Sequence, residues 1–318
     1  MTSGTSATEV AGRRTPYGDH ETGDHGTSDH GTGDHETGDH ETGTEKGDRT
    51  MRNFTVHHDG VTIPVSRGGR GRPLVLCPGL NSTQADLREL TELLRRDHDV
   101  WTFDLRGHGL ASAADRYSFD AFLSDLDAVL AEPGRLGLTS APLLVGYSLG
   151  ADLAVHHASE FPDTVAGLVL IDGANPLPEP FITDADLARF RAMARDQVTR
   201  QTAERTRGTA RQVLLTAQDI LDLQLEIDVV RSGILDRYRR IDRPISMIMS
   251  TAIAGDSTEG RAPRHNRLWR SGVERLVRER PNVSTSWLHA DHRLVFTHAP
   301  EIARIIRSAQ PPADRPPS

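Results

Sequence analysis

The strongest indication of the fold is the segment Ala141-Pro142-Leu143-Leu144-Val145-Gly146-Tyr147-Ser148-Leu149-Gly150-Ala151-Asp152-Leu153-Ala154. Its apolar first half predicts a buried strand, and a helical pattern begins directly after Ser148. Gly-Tyr-Ser-Leu-Gly between them is a G-x-S-x-G sequence, which in this context is typical of a nucleophile elbow. The alternative is a Gly/Ser turn without chemistry. The flanking strand and helix favour a strained turn that exposes the Ser148 hydroxyl beside the positive end of a helix.

Strand and helix patterns alternate on both sides of this motif. Short apolar runs predict strands at 73–77, 99–104, 141–147, 165–172, 245–250 and 283–288. Helical patterns lie between them, at 82–96, 118–130, 149–161, 263–280 and 300–308. This alternation predicts the α/β class, a mostly parallel sheet with helices on both faces. A hairpin closed by Asp59-Gly60 precedes it.

The alternation stops over residues 177–241, where no strand pattern is present. Helical segments are predicted at 184–207 and at about 210–240. We interpret this region as a helical cap inserted into the sheet domain. The predicted organisation is therefore a first core segment at 51–176, the cap at 177–241, a second core segment at 242–310 and a Pro-rich tail at 311–318.

Residues 1–50 form a polar tail with a five-residue repeat. Histidines recur at every fifth position, at His20, His25, His30, His35 and His40. Because the segment has almost no apolar residues to bury, it is predicted to be disordered. The repeat suggests metal binding as an alternative. A solvated tail is favoured, since a flexible chain supplies no preformed ligand geometry.

The charge is concentrated in that tail. Residues 1–50 carry eleven acidic and four basic side chains, a net of −7 within the total of −8, which leaves −1 for the rest. A nearly neutral body predicts no nucleic-acid partner. No apolar run has membrane-spanning length or the form of a signal peptide, so a cytoplasmic protein without a membrane partner is expected, with export by another route left open. The oligomeric state cannot be predicted.

The ordered motifs resemble those of the α/β-hydrolase fold enzymes over roughly residues 53–308. They are Pro78-Gly79-Leu80, then Asp104-Leu105-Arg106-Gly107-His108-Gly109, the Ser148 elbow, Leu170-Ile171-Asp172, the cap, and a late histidine. The resemblance implies a triad in the chain order serine, acid, histidine.

The resemblance assigns Ser148 as nucleophile and His292 as the base that takes its proton. His292 follows the last predicted strand and precedes the closing helix. Five other histidines compete for this role. His289 lies nearer the strand end, and His156 and His157 lie on the helix after the elbow. His108 lies in the loop after the second parallel strand, and His298 lies near the closing helix. His108 is expected to shape its loop.

The position of the acid has two candidates. The family usually places it after the strand that follows the cap, which here indicates Asp256, although the loop is longer than usual. Asp172 is the alternative, because some members carry the acid at the end of the preceding strand. Glu259 is a third choice, and Asp291 is expected to be solvated.

The resemblance implies an oxyanion hole formed by the backbone N–H groups of Leu80 and Leu149. Many members have His-Gly before the first of these donors. Pro78-Gly79 stands there in this chain, so the bracing of that loop is either absent or supplied by another residue. Cys77, the single cysteine, is expected to be a small buried strand residue without a reactive role.

These residues predict acyl transfer through an acyl-serine intermediate. The expected substrate is a small molecule, an ester or thioester of a small or apolar acyl group, and the chemistry requires neither cofactor nor metal. A carbon–carbon hydrolase or a cofactor-free perhydrolase would use the same triad. A noncatalytic ligand-binding protein on the same fold is the third possibility, because fold alone does not fix function.

Overall fold

The computed structural model describes residues 51–136, 138 and 140–309, which all fall in the compact unit Asp48–Ser318. Eight strands form a single sheet in the order β1-β2-β4-β3-β5-β6-β7-β8. Their bounds are β1 Arg52–His58, β2 Val61–Gly69, β3 Arg72–Cys77, β4 His98–Phe103, β5 Leu143–Tyr147, β6 Gly167–Ile171, β7 Ile245–Ser250 and β8 Ser284–Leu288. The interpretations of residues 1–50 and 311–318 lie outside the described residues.

The six neighbouring strands β4, β3, β5, β6, β7 and β8 are parallel. Strands β1 and β2 add an antiparallel edge beside β4. The predicted hairpin joins β1 to β2, with Asp59 and Gly60 both in the left-handed region that such a turn requires. The predicted fold class, an α/β sheet of mostly parallel strands, is confirmed.

Helices cover both faces of the sheet. They are α1 Arg88–Leu94, α2 Phe119–Arg135, α3 Leu149–Glu160, α4 Asp184–Arg207, α5 Ala217–Tyr238, α6 Ala262–Glu279, α7 Leu294–Thr297 and α8 Ala299–Ser308, with a 3₁₀ turn at Pro162–Thr164. One apolar layer packs α1, α7 and α8 on the sheet, and the other packs α2, α3, α5 and α6. Strand β3 is buried on both faces: Leu74 and Leu76 face one apolar layer, and Val75 and Cys77 face the other. This burial explains why its sequence is a continuous apolar run.

The long helices α4 and α5 lie between β6 and β7, where the cap was predicted. Thr183 and Thr216 begin them with capping boxes, and Gly208 ends α4 in the left-handed conformation. Helix α5 starts at Ala217 instead of near residue 210, because the preceding residues pair with a loop after β4. The assignment of 177–241 as a distinct cap stays a prediction.

Helix α5 is fastened to the sheet domain by polar contacts. The Arg231 guanidinium forms a bidentate pair with the fully buried Asp152 of α3, at 2.9 and 2.6 Å. The Tyr238 hydroxyl donates to the carbonyl of Ala174 at 2.7 Å. The ion pair holds α5 against α3, the helix that follows Ser148, and the Tyr238 bond ties the end of α5 to the segment after β6.

Candidate active site

The elbow residue Ser148 joins β5 to α3 in a strained conformation. Its φ of 51° and ψ of −118° lie in a region that non-glycine residues rarely occupy. A Cβ on Gly146 would lie 2.3 Å from the carbonyl oxygen of Gly150, and one on Gly150 would lie 2.4 Å from that of Cys77. Glycine is therefore required at both positions, as the motif predicts. The turn lifts Ser148 above the carboxyl ends of the parallel strands.

Three side chains form a line of hydrogen bonds at this edge. His292 Nε2 lies 2.9 Å from Ser148 Oγ, and His292 Nδ1 lies 2.8 Å from Asp172 Oδ2. A carboxylate only accepts, so Nδ1 carries the proton and Nε2 is free to accept from the serine hydroxyl. The three residues follow β5, β6 and β8, whose carboxyl ends meet at the same edge.

The structure corrects the first choice of acid, because Asp256 does not contact His292. The loop after β7 closes a turn at Gly255, whose φ is +88° and whose N–H bonds the Ala252 carbonyl. Asn266 of α6 holds this turn from both sides. Asp256 and the third candidate Glu259 consequently lie exposed in solvent. Asp291 is also exposed, as expected.

In the described part of the chain, the Asp172 carboxylate at the end of β6 is bonded by uncharged donors and by His292. The Ser250 N–H and hydroxyl donate to Oδ1 at 2.9 Å each, and the hydroxyl also lies 2.8 Å from Oδ2. Trp269 donates its indole N–H to Oδ1 at 2.9 Å. These contacts satisfy a carboxylate that is completely buried. Ser250 and Trp269 were missed by sequence reasoning, since neither belongs to a recognisable motif.

Tyr147 holds the His292 imidazole in place through a ring contact and a hydrogen bond. Its ring stacks on that of His292 with centroids 5.4 Å apart, and its hydroxyl donates to the His292 carbonyl at 2.7 Å. Burial raises the pKa of the Tyr147 phenol, so the hydroxyl keeps its proton and its role as donor. The variable residue of G-x-S-x-G thus supports the His292 imidazole.

The turn after β3 lies against the elbow. A Cβ on Gly79 would be 2.9 Å from Ser148 Cβ and 3.0 Å from Tyr147 Cδ1, so Leu80 begins beside the serine. In the part of the chain that the structure describes, the N–H groups of Leu80 and Leu149 have no hydrogen-bond partner. Both groups are thus available to a negative oxygen near Ser148.

The other candidate groups lie apart from this line. His157 bonds Asp127 and Thr164, and His289 lies 3.3 Å from the Thr251 hydroxyl. Cys77 is fully buried, and burial raises the pKa of its thiol, which keeps it a protonated strand residue. Among the described residues, the hydrogen-bond partners of the His108 ring are backbone groups.

Within residues 51–136, 138 and 140–309, no three His, Cys, Asp or Glu side chains cluster in a way that could hold a metal ion. Nor does any helix of this region have the length and apolarity to cross a bilayer. The expectation that the reaction needs no cofactor stays a prediction.

A family profile described as alpha/beta hydrolase fold matches residues 72–247, which is more than half of the chain. The chain belongs to the α/β-hydrolase fold family. The matched region holds Ser148 and Asp172, and His292 lies beyond it.

This α/β hydrolase resembles several curated proteins over part of their length. It is 36% identical over 107 residues to N-formylmaleamate deformylase of Pseudomonas putida, covering 33% of this chain and 38% of the relative. It is 30% identical over 133 residues to 2-(acetamidomethylene)succinate hydrolase of Mesorhizobium japonicum, covering 42% and 46%. The chain therefore spans less than half the length of either relative.

Solved structures share the fold over most of this α/β hydrolase. The E-2-(acetamidomethylene)succinate hydrolase structure superposes with a TM-score of 0.59 over 81% of this chain and 98% of the other, at 19% identity. The thioesterase domain from the curacin biosynthetic pathway gives 0.55 over 81% and 99%, also at 19%. At this identity the likeness concerns the fold alone.

Proposed function

We propose that this protein is a serine hydrolase that cleaves an ester or thioester of a small or apolar acyl group through an acyl-Ser148 intermediate. The observation that carries the proposal is the continuous line from Ser148 to His292 to Asp172, at 2.9 and 2.8 Å. The partial matches to two named hydrolases support it. The substrate is a small molecule, and the chemistry needs no cofactor.

In the first half-reaction, Ser148 Oγ attacks the carbonyl carbon while His292 Nε2 takes the hydroxyl proton. Asp172 accepts the Nδ1 hydrogen bond and stabilises the imidazolium that forms. The same imidazolium then protonates the leaving alcohol or thiol, which leaves the acyl group on Ser148. Water repeats the sequence with His292 as base, releasing the carboxylic acid and restoring the serine.

The tetrahedral intermediates carry a negative oxygen, for which the N–H groups of Leu80 and Leu149 are the proposed donors. Leu149 is the first residue of α3, so its N–H points out of the helix at the positive end of the helix dipole. The proximity of Gly79 to Ser148 supports the second donor at Leu80. Such donors act in the transition state more than in the ground state and therefore raise kcat.

A second candidate is cleavage of a small N-acyl compound by the same residues. The names of the two partial relatives, a deformylase and an (acetamidomethylene)succinate hydrolase, favour it. The attack on the carbonyl is the same, and His292 would protonate a nitrogen leaving group instead of an oxygen or sulfur.

A substrate panel tests both candidates. p-Nitrophenyl esters of increasing acyl length, acyl thioesters, and N-formyl and N-acetyl amides are to be compared with wild type, Ser148→Ala and the exposed control Ser308→Ala. Hydrolysis by wild type and Ser308→Ala, lost in Ser148→Ala, supports the proposal. Hydrolysis that survives in Ser148→Ala, or none by wild type on any class, would overturn it.

A further inference from the structure

The loop after β4 contains a histidine that is completely buried and lies outside the line of Ser148, His292 and Asp172. His108 has no exposed surface. Its Nδ1 lies 2.9 Å from the Arg106 carbonyl oxygen, and its Nε2 lies 3.1 Å from the backbone nitrogen of Asn81. The second contact reaches the residue directly after Leu80, beside the elbow.

These two contacts fix the protonation of the ring. The Arg106 carbonyl can only accept, so Nδ1 must carry a proton. The Asn81 N–H can only donate, so Nε2 must be unprotonated. Burial lowers the pKa of His108 to about 4 despite the nearby Asp86, which agrees with a neutral imidazole. The ring therefore bridges two backbone groups as donor on one side and acceptor on the other.

The bridged turn uses a left-handed backbone conformation that few residues other than glycine and asparagine adopt. Asn81 has a φ of +62°, in the left-handed region, directly after Leu80. Within the described residues, His108 is the partner of the Asn81 N–H. Removal of that acceptor would leave a half-buried donor unpaired and free the turn to relax. The Leu80 N–H belongs to the Gly79–Leu80 peptide, whose carbonyl accepts from the Ser82 N–H and hydroxyl. Ser82 therefore holds one side of the turn and His108 the other, so loss of the His108 contact is expected to shift this peptide.

The same loop is also bound to the connection between α4 and α5. His108 pairs with Val213 in an antiparallel bridge, the Gly109 N–H donates to the Gln212 carbonyl at 2.8 Å, and the Leu214 N–H donates to the Gly107 carbonyl at 2.7 Å. The loop around His108 is thus clamped between the Leu80–Asn81 turn and the connection that leads into α5.

We infer that His108 is a positioning residue for the oxyanion hole, which holds the Leu80–Asn81 turn against Ser148 and ties it to the connection between α4 and α5. This role rests on the proposed function, since an oxyanion forms only if Ser148 attacks a carbonyl. The effect should fall on transition-state stabilisation, because Nε2 holds the backbone that carries a donor and the ring itself bonds no reacting atom.

The test compares His108→Leu, which lacks both ring nitrogens, with His108→Gln, whose amide can both donate and accept. His157→Leu is the matched control, because His157 is also buried and hydrogen-bonded but lies on α3 away from the Leu80–Asn81 turn. The readouts are kcat and KM for the best ester and the inhibition constant of an alkyl boronic acid. The boronate adds to a reactive serine and places an oxygen in the oxyanion hole.

We expect His108→Leu to lower kcat by about tenfold to a hundredfold with KM nearly unchanged, and to weaken boronate inhibition by a similar factor. His108→Gln should recover part of both, and His157→Leu should change neither. If a folded His108→Leu keeps its kcat, or loses kcat while boronate inhibition is unchanged, the role is overturned. If wild type is inert to a fluorophosphonate, the proposed function fails first and the role fails with it.

Nitrogen-15 NMR of wild type keeps the proposal testable if His108→Leu does not fold. Long-range ¹⁵N–¹H correlations distinguish the two neutral tautomers and the charged ring. A neutral ring protonated at Nδ1 at about pH 7 supports the bridge to Asn81. A ring protonated at Nε2 would overturn it, because that nitrogen could not accept.

Discussion

Asp172 and His292 are joined by a hydrogen bond of 2.8 Å between Oδ2 and Nδ1, although they are 120 residues apart. Asp172 stands at the end of β6 and His292 follows β8, with β7 between these two strands. The Asp172 side chain therefore crosses the end of β7, and Ser250, the last residue of β7, donates its hydroxyl to the carboxylate. In this arrangement the carboxylate is buried and oriented before any substrate arrives.

Replacement of Asp172 by asparagine should nearly abolish turnover. The amide cannot stabilise the imidazolium, and it favours the wrong tautomer of His292, so kcat should fall by about a thousandfold or more. Steady-state kinetics on the best substrate measure this. Asp256→Asn is the matched control, because Asp256 is exposed and should keep wild-type kcat. The reverse result would restore Asp256 as the acid.

Ser250→Ala should lower kcat by about tenfold with a small change in stability. It removes a hydroxyl that contacts both oxygens of Asp172, while the Ser250 N–H and the Trp269 indole remain. Ser246→Ala, a buried serine at the other end of β7, is the control and should leave kcat unchanged. Equal kcat for the two variants would show that the Ser250 hydroxyl does not orient the acid.

Removal of only one member of the Asp152–Arg231 ion pair should lower the stability of the protein. Arg231→Met leaves a fully buried carboxylate unpaired and should lower the free energy of unfolding by about 3 kcal/mol or more. The double variant Asp152→Leu, Arg231→Met removes both charges and should recover much of that loss. Urea denaturation at neutral pH measures all three proteins. A loss below about 1 kcal/mol in the single variant would contradict the burial of the pair.

The pH dependence of stability should differ between wild type and His108→Gln. Burial holds the pKa of His108 near 4 in the folded protein, below the ordinary histidine value of 6.5, so the unfolded chain binds more protons between these values. Stability from this group is present above the unfolded pKa and falls as pH is lowered from about 6.5 to about 4, by up to about 3 kcal/mol. His108→Gln lacks this loss.

Protonation of Asp104 should change the stability in the direction opposite to that of His108 over the same pH range. Burial raises its pKa from 3.8 to about 6, so the folded protein takes up a proton first and gains stability as pH falls through about 6. The free energy of unfolding is to be measured by urea denaturation at several pH values between about 4 and 7. Acidification should lower it more in Asp104→Asn than in wild type, and less in His108→Gln than in wild type. Parallel curves for all three proteins would contradict both shifts.

Much of the fold could be predicted from sequence, because buried parallel strands are continuously apolar and alternate with helices. The motif context also predicted that Ser148 and His292 belong to one site. The acid could not be fixed in this way, since the ends of β6 and β7 meet at one edge and both are followed by an aspartate within a few residues. The turn at Gly255 decides against Asp256, and its geometry depends on Asn266 of a later helix.

Other parts of the site depend on contacts between segments distant in sequence. The Trp269 indole reaches Asp172 across 97 residues, and its helix pattern alone indicates only a core residue. Helix α5 begins at Ala217, later than its sequence pattern predicts, because Val213 pairs with His108 instead of joining the helix. The sequence predicts that His108 shapes its own loop. Its bond to Asn81 could not be predicted, because it depends on how two loops distant in sequence lie in the folded chain.

Ser148 is proposed to be a nucleophile activated by His292 and Asp172. The most direct test of this proposal is the mass spectrum of the protein after treatment with a fluorophosphonate, followed by peptide mapping of the adduct, for wild type and for Ser148→Ala. We expect one phosphonyl group per wild-type chain, located on Ser148, and none on Ser148→Ala. An unmodified wild-type protein, or an adduct that persists in Ser148→Ala, would contradict it.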